Sequence, residues 1–296
     1  MDKRQLQNYS VWAKENLEQQ IEVSLKSLGI NSASDIKAAR RTGEVTVIDG
    51  DPNSYSSDLL GKRNSIIQQV QAKGYRHIIE EFAYTWFNRL IALRFMEAHN
   101  YLSHGFRVLS STSGSVEPDI LRNLPLVKDD LKLDMALCRR LKEQGKTEEL
   151  FRYVLLQQCA ALSSVLPMLF EQNSLYMELL LPKALLIGDT VLTRLMVIPE
   201  DNFLNDVEII GWMYQFYISA KKDEVNDSKK TITKETLPAV TQLFTPDWIV
   251  RYMAENSIGR IWMESYPQSP LRSKMKYYVE EAEQTEGVQR KLDEIR

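Results

Sequence analysis

The sequence predicts a mainly α-helical fold for most of the chain. Four long segments carry apolar residues at steps of three and four, which is the spacing of one helix face. These segments are residues 2–28, 58–99, 117–173 and 207–220. Strand-like sequence is confined to two short runs, residues 44–48 and residues 106–109. The chain has 296 residues and is 44% hydrophobic, which is ordinary for a protein that buries a core.

The first predicted helix, residues 2–28, is followed by Gly29, a residue type that commonly ends helices in the left-handed conformation. Residues 32–57 form a polar connector with the one candidate strand, residues 44–48, before a turn rich in Asp and Gly. Residues 58–99 are predicted to form one or two helices, with Gly61 and Gly74 as candidate breaks.

Residues 82–96 are aromatic or aliphatic nearly all round, which predicts a buried central helix. Arg89 and Arg94 lie on it, and a buried arginine needs a partner. Salt bridges to Glu80, Glu81 or Glu97 are therefore expected. Four aromatic residues could stack on nucleic-acid bases, but their helical spacing favours packing in the core. They are Trp86, Phe87, Phe95 and Trp212.

A Ser- and Gly-rich loop over residues 110–118 could contact phosphate, although a solvated connector is the simpler interpretation. The helices of residues 117–173 are separated by a turn at residues 144–146, and Pro167 is expected to kink or end one of them. Two short apolar helices are expected around Pro182 and Gly188. The basic residues Arg139, Arg140 and Lys142 are expected to form a solvated face.

Charge and composition exclude several classes of protein. The net charge of −3 argues against binding nucleic acid through overall charge. Cys138 and Cys159 both lie in helical patterns, which predicts buried free thiols in a reducing compartment. The three histidines pair with no cysteine at ligand spacing, so no metal site is expected. No apolar run indicates a signal peptide or a membrane span, and a cytoplasmic location is expected.

The segment Phe244-Thr245-Pro246 has the features of a helix start. Thr245 is suited to cap the helix through its hydroxyl, and Pro246 is suited to its first position. The string from Gln242 to Met253 also resembles motif X of amino-methylating DNA methyltransferases, in which Phe-Thr-Pro precedes an aliphatic pair and a Met. Longer strings at residues 84–97 and 208–219 extend the similarity. Together they resemble the PglX family, the adenine-specific methyltransferases of BREX phage-resistance systems.

This resemblance implies a division of the chain. Residues 1–240 would be a helical amino-terminal domain, and residues 241–264 the motif X helix, the first element of an α/β S-adenosylmethionine-dependent methyltransferase domain. Residues 265–296 would be a hinge and a charged helical linker. The implied cofactor is S-adenosylmethionine, bound by Phe244, Thr245 and Pro246. A helix start suits its carboxylate, because free N–H groups and the helix dipole favour an anion.

Two motifs of that family are missing from the chain. Its 12 glycines include no pair separated by one residue, and it contains no Pro-Pro dipeptide. The family's cofactor loop needs glycines for close backbone approach, and its catalytic loop is Asn or Asp followed by Pro-Pro and an aromatic residue. No catalytic residue is therefore expected in this chain, and it is expected to be inactive alone as the amino-terminal part of a larger enzyme.

The resemblance implies double-stranded DNA as a partner. Five lysines before motif X could form a flexible basic loop that contacts DNA phosphate, or a solvated loop neutralised by nearby acids. They are Lys221, Lys222, Lys229, Lys230 and Lys234. Two alternatives remain open. The chain could be a helical module that binds DNA, other BREX subunits or phage inhibitor proteins without catalysis, or a helical scaffold in which Phe-Thr-Pro is only a cap.

Overall fold

The computed structural model describes residues 2–170, 177–205, 207–227, 232–233, 237–241, 243–280 and 282–295. They form two compact units, residues 1–242 and residues 243–296. Helices dominate the described residues and the only strands among them form one small sheet, so the prediction of a mainly α-helical fold is confirmed.

The first unit is built from twelve described α-helices and one sheet. The helices are α1 (Lys3–Ser27), α2 (Leu59–Lys73), α3 (Tyr75–Ala98), α4 (Asp119–Arg122), α5 (Leu124–Val127), α6 (Met135–Glu143), α7 (Thr147–Leu162), α8 (Met177–Leu180), α9 (Val191–Val197), α10 (Glu200–Asn205), α11 (Glu208–Asp227) and α12 (Leu237–Thr241). Helix α1 packs mainly against α3 and α11, and these three helices form the centre of the core.

Helix α1 is closed at both ends by its own sequence. At its start, the Asp2 carboxylate accepts from the Arg4 N–H at 2.9 Å, which satisfies an otherwise free donor of the first turn. At its end, Gly29 adopts φ +69°. The Ile30 N–H then donates to the Leu25 oxygen, and the Gly29 N–H to the Lys26 oxygen, both at 2.9 Å. The prediction that Gly29 ends this helix is confirmed.

The connector after α1 contains a three-stranded antiparallel sheet. Its strands are β1 (Ala39–Thr42), β2 (Val45–Ile48) and β3 (Ser54–Ser56), in the order β1-β2-β3. The register pairs Ala39 with Ile48 and Val47 with Ser54. The predicted strand is β2. Strands β1 and β3 were missed because their residues are polar and largely exposed, without apolar alternation.

Helices α2 and α3 are separated at Gly74, whose φ of +97° is incompatible with a continuous helix. The prediction of a break at Gly74 is confirmed, and the alternative break at Gly61 is wrong because Gly61 lies inside α2. Trp86 and Phe87 of α3 are buried, as expected for core residues. Phe95 is half-buried and packs on the His99 ring, 4.1 Å between centroids.

The predicted strand over residues 106–109 is wrong. The N–H groups of Val108 and Leu109 donate to one carboxylate oxygen of Glu97, at 2.9 and 2.8 Å, instead of to another strand. Residues 117–173 hold four described helices, α4 to α7. The last of these ends at Leu162, before Pro167 rather than at it. Gly145 forms the predicted turn between α6 and α7, with φ +67°.

The second unit contains α13 (Asp247–Glu255), α14 (Ile258–Ser265), a 3₁₀ helix (Pro270–Lys274) and α15 (Glu286–Ile295). The single helix predicted over residues 241–264 is therefore two helices, separated at Asn256 and Ser257. The Asn256 side chain donates to the Tyr277 oxygen and accepts from the Val279 N–H, each at 2.8 Å. These bonds also explain why residues 275–280 are not part of the charged helix predicted over residues 271–296.

Candidate functional site

The segment Leu243 to Pro246 leads directly into α13. Phe244 and Pro246 are half-buried, and Thr245 is exposed. Pro246 has an extended conformation, with ψ 143°, and it is the residue that precedes the first helical one. Its main-chain oxygen accepts from the N–H of Ile249 at 3.0 Å. The prediction of Thr245 as the cap and Pro246 as the first helical residue is therefore wrong by one position.

The start of α13 has no side-chain cap. Thr245 lies one residue too far from the first turn to fill that role, so its exposed hydroxyl is not used by the helix. Asp247 is in the first turn, where an acidic side chain suits the helix dipole. A carboxylate oxygen of Asp247 lies 2.7 Å from Nε of Arg251, so the arginine balances the charge of the aspartate. The uncapped first turn beside a free hydroxyl is an arrangement that can accept an anionic group.

The two helices after this segment expose large apolar side chains. Trp248 is 56% exposed, Met253 63% and Ile258 75%. Gly259 of α14 is the one buried residue in the described α-helices of the second unit. Both α13 and α14 nevertheless have well-separated apolar and polar faces. Apolar surface of this extent is typical of a segment that is covered by further protein.

Only two of the five candidate lysines lie in the described part of the chain. Lys221 and Lys222 belong to α11, which continues to Asp227, well beyond the end predicted at residue 220. The expected flexible loop is therefore helical at its start. Lys229, Lys230 and Lys234 lie outside the described residues. Their prediction as a DNA-contacting cluster stays a prediction.

A buried ion-pair network lies at the end of α3. One carboxylate oxygen of Glu97 accepts from Arg94 and from the Ser110 hydroxyl, both at 2.8 Å. A second guanidinium nitrogen of Arg94 lies 3.0 Å from a carboxylate oxygen of Glu200. Arg107 donates to the other carboxylate oxygen of Glu200 at 2.7 Å. Hydrogen bonding from Arg107, and the charges of Arg94 and Arg107, lower the pKa of the Glu200 carboxyl against the opposing effect of its partial burial.

The expected pairing of Arg94 with Glu97 is confirmed. The two partners Arg107 and Glu200 were missed, because nothing in the sequence links a loop at residue 107 to a helix start at residue 200. Glu80 and Glu81 lie within ion-pairing distance of Arg76 and Lys73, at 3.2 and 2.9 Å. Arg89 donates to the Leu169 oxygen at 3.1 Å.

The network lines a cavity of about 400 Å³ in the first unit. Aliphatic residues, including Leu109, Leu185 and Met196, form much of its wall. Because Arg94 and Arg107 face two carboxylates, the charges of the network balance, and the cavity has no excess positive charge for an anion. The network is therefore best explained as a support for the loop after α3.

The Ser/Gly loop over residues 110–118 uses its hydroxyls internally. Ser110 donates to Glu97, and Ser111 donates to Asp119 at 2.7 Å. Ser115 accepts from Arg122 at 2.6 Å. These bonds favour a structural connector over a phosphate-binding loop, since the same hydroxyls would otherwise have to contact the phosphate.

Within the described ranges, no group of three or more His, Cys, Asp or Glu side chains is arranged to hold a metal ion. None of the helices formed by the described residues is both long and apolar enough to cross a bilayer. Arg139, Arg140 and Lys142 of α6 are exposed, as predicted.

The class of protein to which the sequence comparisons point is the adenine-specific methyltransferases. The chain is 41% identical, in an alignment 303 positions long, to the adenine-specific methyltransferase BrxX of Escherichia coli O9:H4 (strain HS). That alignment covers 100% of the chain and 25% of BrxX. The adenine-specific methyltransferase PglX of Lacticaseibacillus casei (strain Zhang) is 36% identical in an alignment 283 positions long, which covers 89% of the chain and 23% of PglX.

The chain is therefore related to the PglX and BrxX adenine-specific methyltransferases, and the resemblance that its motifs indicate is confirmed. It spans about a quarter of the length of these two relatives. No protein-family model matches the chain.

Proposed function

We propose that the chain is the amino-terminal region of an adenine-specific DNA methyltransferase of the BREX type. The observation that carries this proposal is the similarity to two adenine-specific methyltransferases, at 41% identity over the whole chain and at 36% identity over 89% of it. The substrate is double-stranded DNA, the methyl donor is S-adenosylmethionine, and the protein acts in the cytoplasm.

The residues around the start of α13 fit a part of this cofactor. Thr245 offers an exposed hydroxyl, and the first turn has no side-chain cap, so a carboxylate can take that place. Phe244 is half-buried and provides an apolar contact beside it. We propose that Phe244, Thr245 and Pro246 hold the methionine end of S-adenosylmethionine. When bound, the cofactor supplies the methyl group for the adenine amino group.

The exposed apolar faces of α13 and α14 support a role within a larger domain. Trp248, Met253 and Ile261 are 56%, 63% and 65% exposed. Covering such apolar side chains removes them from water, which lowers the free energy of the protein. In the proposed enzyme they pack against the methyltransferase domain. The chain by itself, which has neither a Gly-x-Gly pair nor a Pro-Pro dipeptide, is proposed not to transfer methyl groups.

A second candidate is a binding module without catalysis. The same exposed apolar faces favour it, because they suit a protein partner as well as a covalently linked domain. Partners of this kind would be other BREX subunits or phage inhibitor proteins. The two candidates differ in one respect: only the first requires Thr245 to affect cofactor affinity.

A chimera tests the first candidate directly. The matching region of BrxX from Escherichia coli is replaced by this chain, and methylation of host DNA and the Kd for S-adenosylmethionine are measured. We expect the chimera to methylate DNA. Thr245→Val in the chimera should raise the Kd for the cofactor about tenfold, the loss of one charge-assisted hydrogen bond worth about 1.4 kcal/mol.

The matched control is Thr42→Val, which removes an exposed hydroxyl from strand β1. It should leave the cofactor Kd unchanged. An inactive chimera that folds normally would contradict the proposed function, and it would favour the binding module. An active chimera in which Thr245→Val binds the cofactor normally would contradict only the role of Thr245.

A further inference from the structure

A basic–aromatic patch lies on the second unit, in a stretch that the sequence suggested was only a linker. Residues 265–279 contain three cationic side chains and no acidic one, in a chain whose net charge is −3. We define the patch as Arg260, Arg272, Lys274, Lys276 and Tyr278. It combines residues of α14 with residues in and after the 3₁₀ helix.

Tyr278 holds the two arginines of the patch together. The guanidinium carbon of Arg272 lies 4.5 Å from the centre of the Tyr278 ring, and that of Arg260 lies 5.4 Å from it. Cations are attracted to the face of an aromatic ring, so the ring offsets the repulsion between two like charges. The arrangement places both guanidinium groups over one ring.

The backbone that carries Lys274 and Lys276 is anchored to α13 and α14. The carboxylate of Glu255 accepts from the Tyr277 N–H, and Asn256 bonds to Tyr277 and Val279 at 2.8 Å each. On the other side, Gly259 approaches Met275 so closely that an added Cβ would lie 3.1 Å from the Met275 Cε. The lysines therefore project from a fixed backbone.

The nearby acids leave the lysines available. Glu280 accepts from Arg272 Nε at 3.0 Å, and the Glu255 carboxylate is directed to the Tyr277 N–H. Both lysines are exposed, and neither has a carboxylate oxygen within 4.0 Å in the part of the chain that the structure describes. Arg272 is thus paired with Glu280, whereas the charges of Lys274 and Lys276 are not neutralised by an ion pair among the described residues.

We propose that the basic–aromatic patch binds the phosphate backbone of double-stranded DNA without reading base sequence. Ammonium and guanidinium groups neutralise phosphates in this way, and such contacts position a protein on the duplex. The choice of DNA rests on the proposed function, which makes DNA the substrate. The patch shares no residue with the start of α13 or with the five lysines of residues 221–234.

The test measures the salt dependence of DNA binding by the 296-residue chain. A short fluorescent duplex is titrated with the chain by anisotropy between about 50 and 200 mM salt. In the double variant Lys274→Ala/Lys276→Ala, the slope of log K against log salt should become shallower by about 1.8, since each lost phosphate contact removes about 0.9. The charge-preserving variant Lys274→Arg/Lys276→Arg should retain most of the original slope.

The matched control is Arg139→Ala/Arg140→Ala, which removes two exposed charges from α6. It should change the slope little, and circular dichroism checks that every variant is folded. The proposal would be overturned if the unsubstituted chain did not bind DNA at the lowest salt, or if the slope were unchanged in the Lys274→Ala/Lys276→Ala variant. It would also be overturned if the control variant lost as much slope as that variant. Tighter binding of a duplex RNA through the same lysines would overturn DNA as the partner.

This outcome is independent of the chimera experiment. A shallower slope together with an inactive chimera would support the patch and contradict the proposed function. An active chimera with an unchanged slope would contradict the patch alone.

Discussion

The side chain of Arg63, on α2, donates from Nε to the main-chain oxygen of Leu28, 2.6 Å away, at the end of α1. A second nitrogen of the same guanidinium donates to the Lys37 oxygen in the connector. Arg63 is only 3% exposed, and this burial lowers the pKa of its guanidinium. Its charge lies at the negative end of the α1 dipole, where a cation is favourable. One side chain thus joins α1, the connector and α2.

Replacing Arg63 by Met should destabilise the first unit. The change keeps much of the apolar stem but leaves the buried oxygen of Leu28 and the oxygen of Lys37 without this donor. A hydrogen bond to a charged group is worth about 1.5–3 kcal/mol, and we expect a loss of that size in the free energy of unfolding. Urea unfolding followed by circular dichroism measures it.

Arg139→Met, at an exposed site on α6, should stay within about 0.5 kcal/mol of the original chain. Equal losses for the two variants would refute the joining role.

Glu97→Gln tests the network at the end of α3. The substitution keeps the shape of the side chain but removes the charge that pairs with Arg94, whose side chain is 5% exposed. The amide also has one oxygen in place of two, so its NH2 group faces either the N–H groups of Val108 and Leu109 or the donors of Arg94 and Ser110. Breaking a buried ion pair from one side costs about 3–5 kcal/mol, and we expect a loss in this range. Hydrogen exchange should show faster exchange at Val108 and Leu109.

The control for this substitution is Glu143→Gln, on the exposed end of α6. It should change neither the unfolding free energy nor the exchange of those two amides. If Glu97→Gln left both amides protected, the carboxylate would not be what holds the loop after α3.

Local patterns predicted the long helices, because periodicity and capping act within a few residues. Gly29 and Gly74 end and separate helices as expected, and the buried Trp86 and Phe87 follow from their spacing. Interactions between distant residues were not predictable in this way. The bond from Arg63 to Leu28 spans 35 positions, and the pair of Arg107 and Glu200 spans 93.

The candidate site was predictable only in part. The start of a helix near Pro246 follows from local chemistry, but its exact first residue depends on the ψ angle of Pro246, which the sequence does not fix. The basic–aromatic patch was missed because its charges lie in a stretch without helical periodicity. Its arginines, Arg260 and Arg272, come together only through the ring of Tyr278.

The ion pairs of Glu200 should make stability depend on pH in the acid range. Hydrogen bonding from Arg107, together with the charge of Arg94, holds the folded-state pKa of Glu200 below its ordinary value of 4.5. The contribution is therefore fully present above about pH 4.5, and it is lost as the pH falls through the folded-state pKa. The difference in unfolding free energy between the original chain and Glu200→Gln should be constant at neutral pH and should shrink below about pH 4.5.

The Arg107→Gln background provides the control. Without its principal partner, Glu200 should have a pKa nearer the ordinary value, so Glu200→Gln should then produce a smaller pH-dependent difference. Urea unfolding at a series of pH values measures both pairs of variants. The same pH dependence in both backgrounds would show that Arg107 does not set the titration of Glu200.

The two thiols should be unreactive in the folded protein. Cys138 and Cys159 are free and buried, at 1% and 4% exposure. Burial raises the pKa of the Cys159 thiol to about 12, and it also raises the pKa of Cys138. Because the thiolate is the reactive form, the raised pKa keeps Cys159 in the unreactive thiol form at neutral pH. A thiol-specific chromogenic reagent should therefore label neither residue in the native chain and both after unfolding in urea.

Ser113→Cys, which places a thiol on the exposed loop, should be labelled at once. Rapid labelling of the native original chain would show that one of the helices around these thiols opens readily.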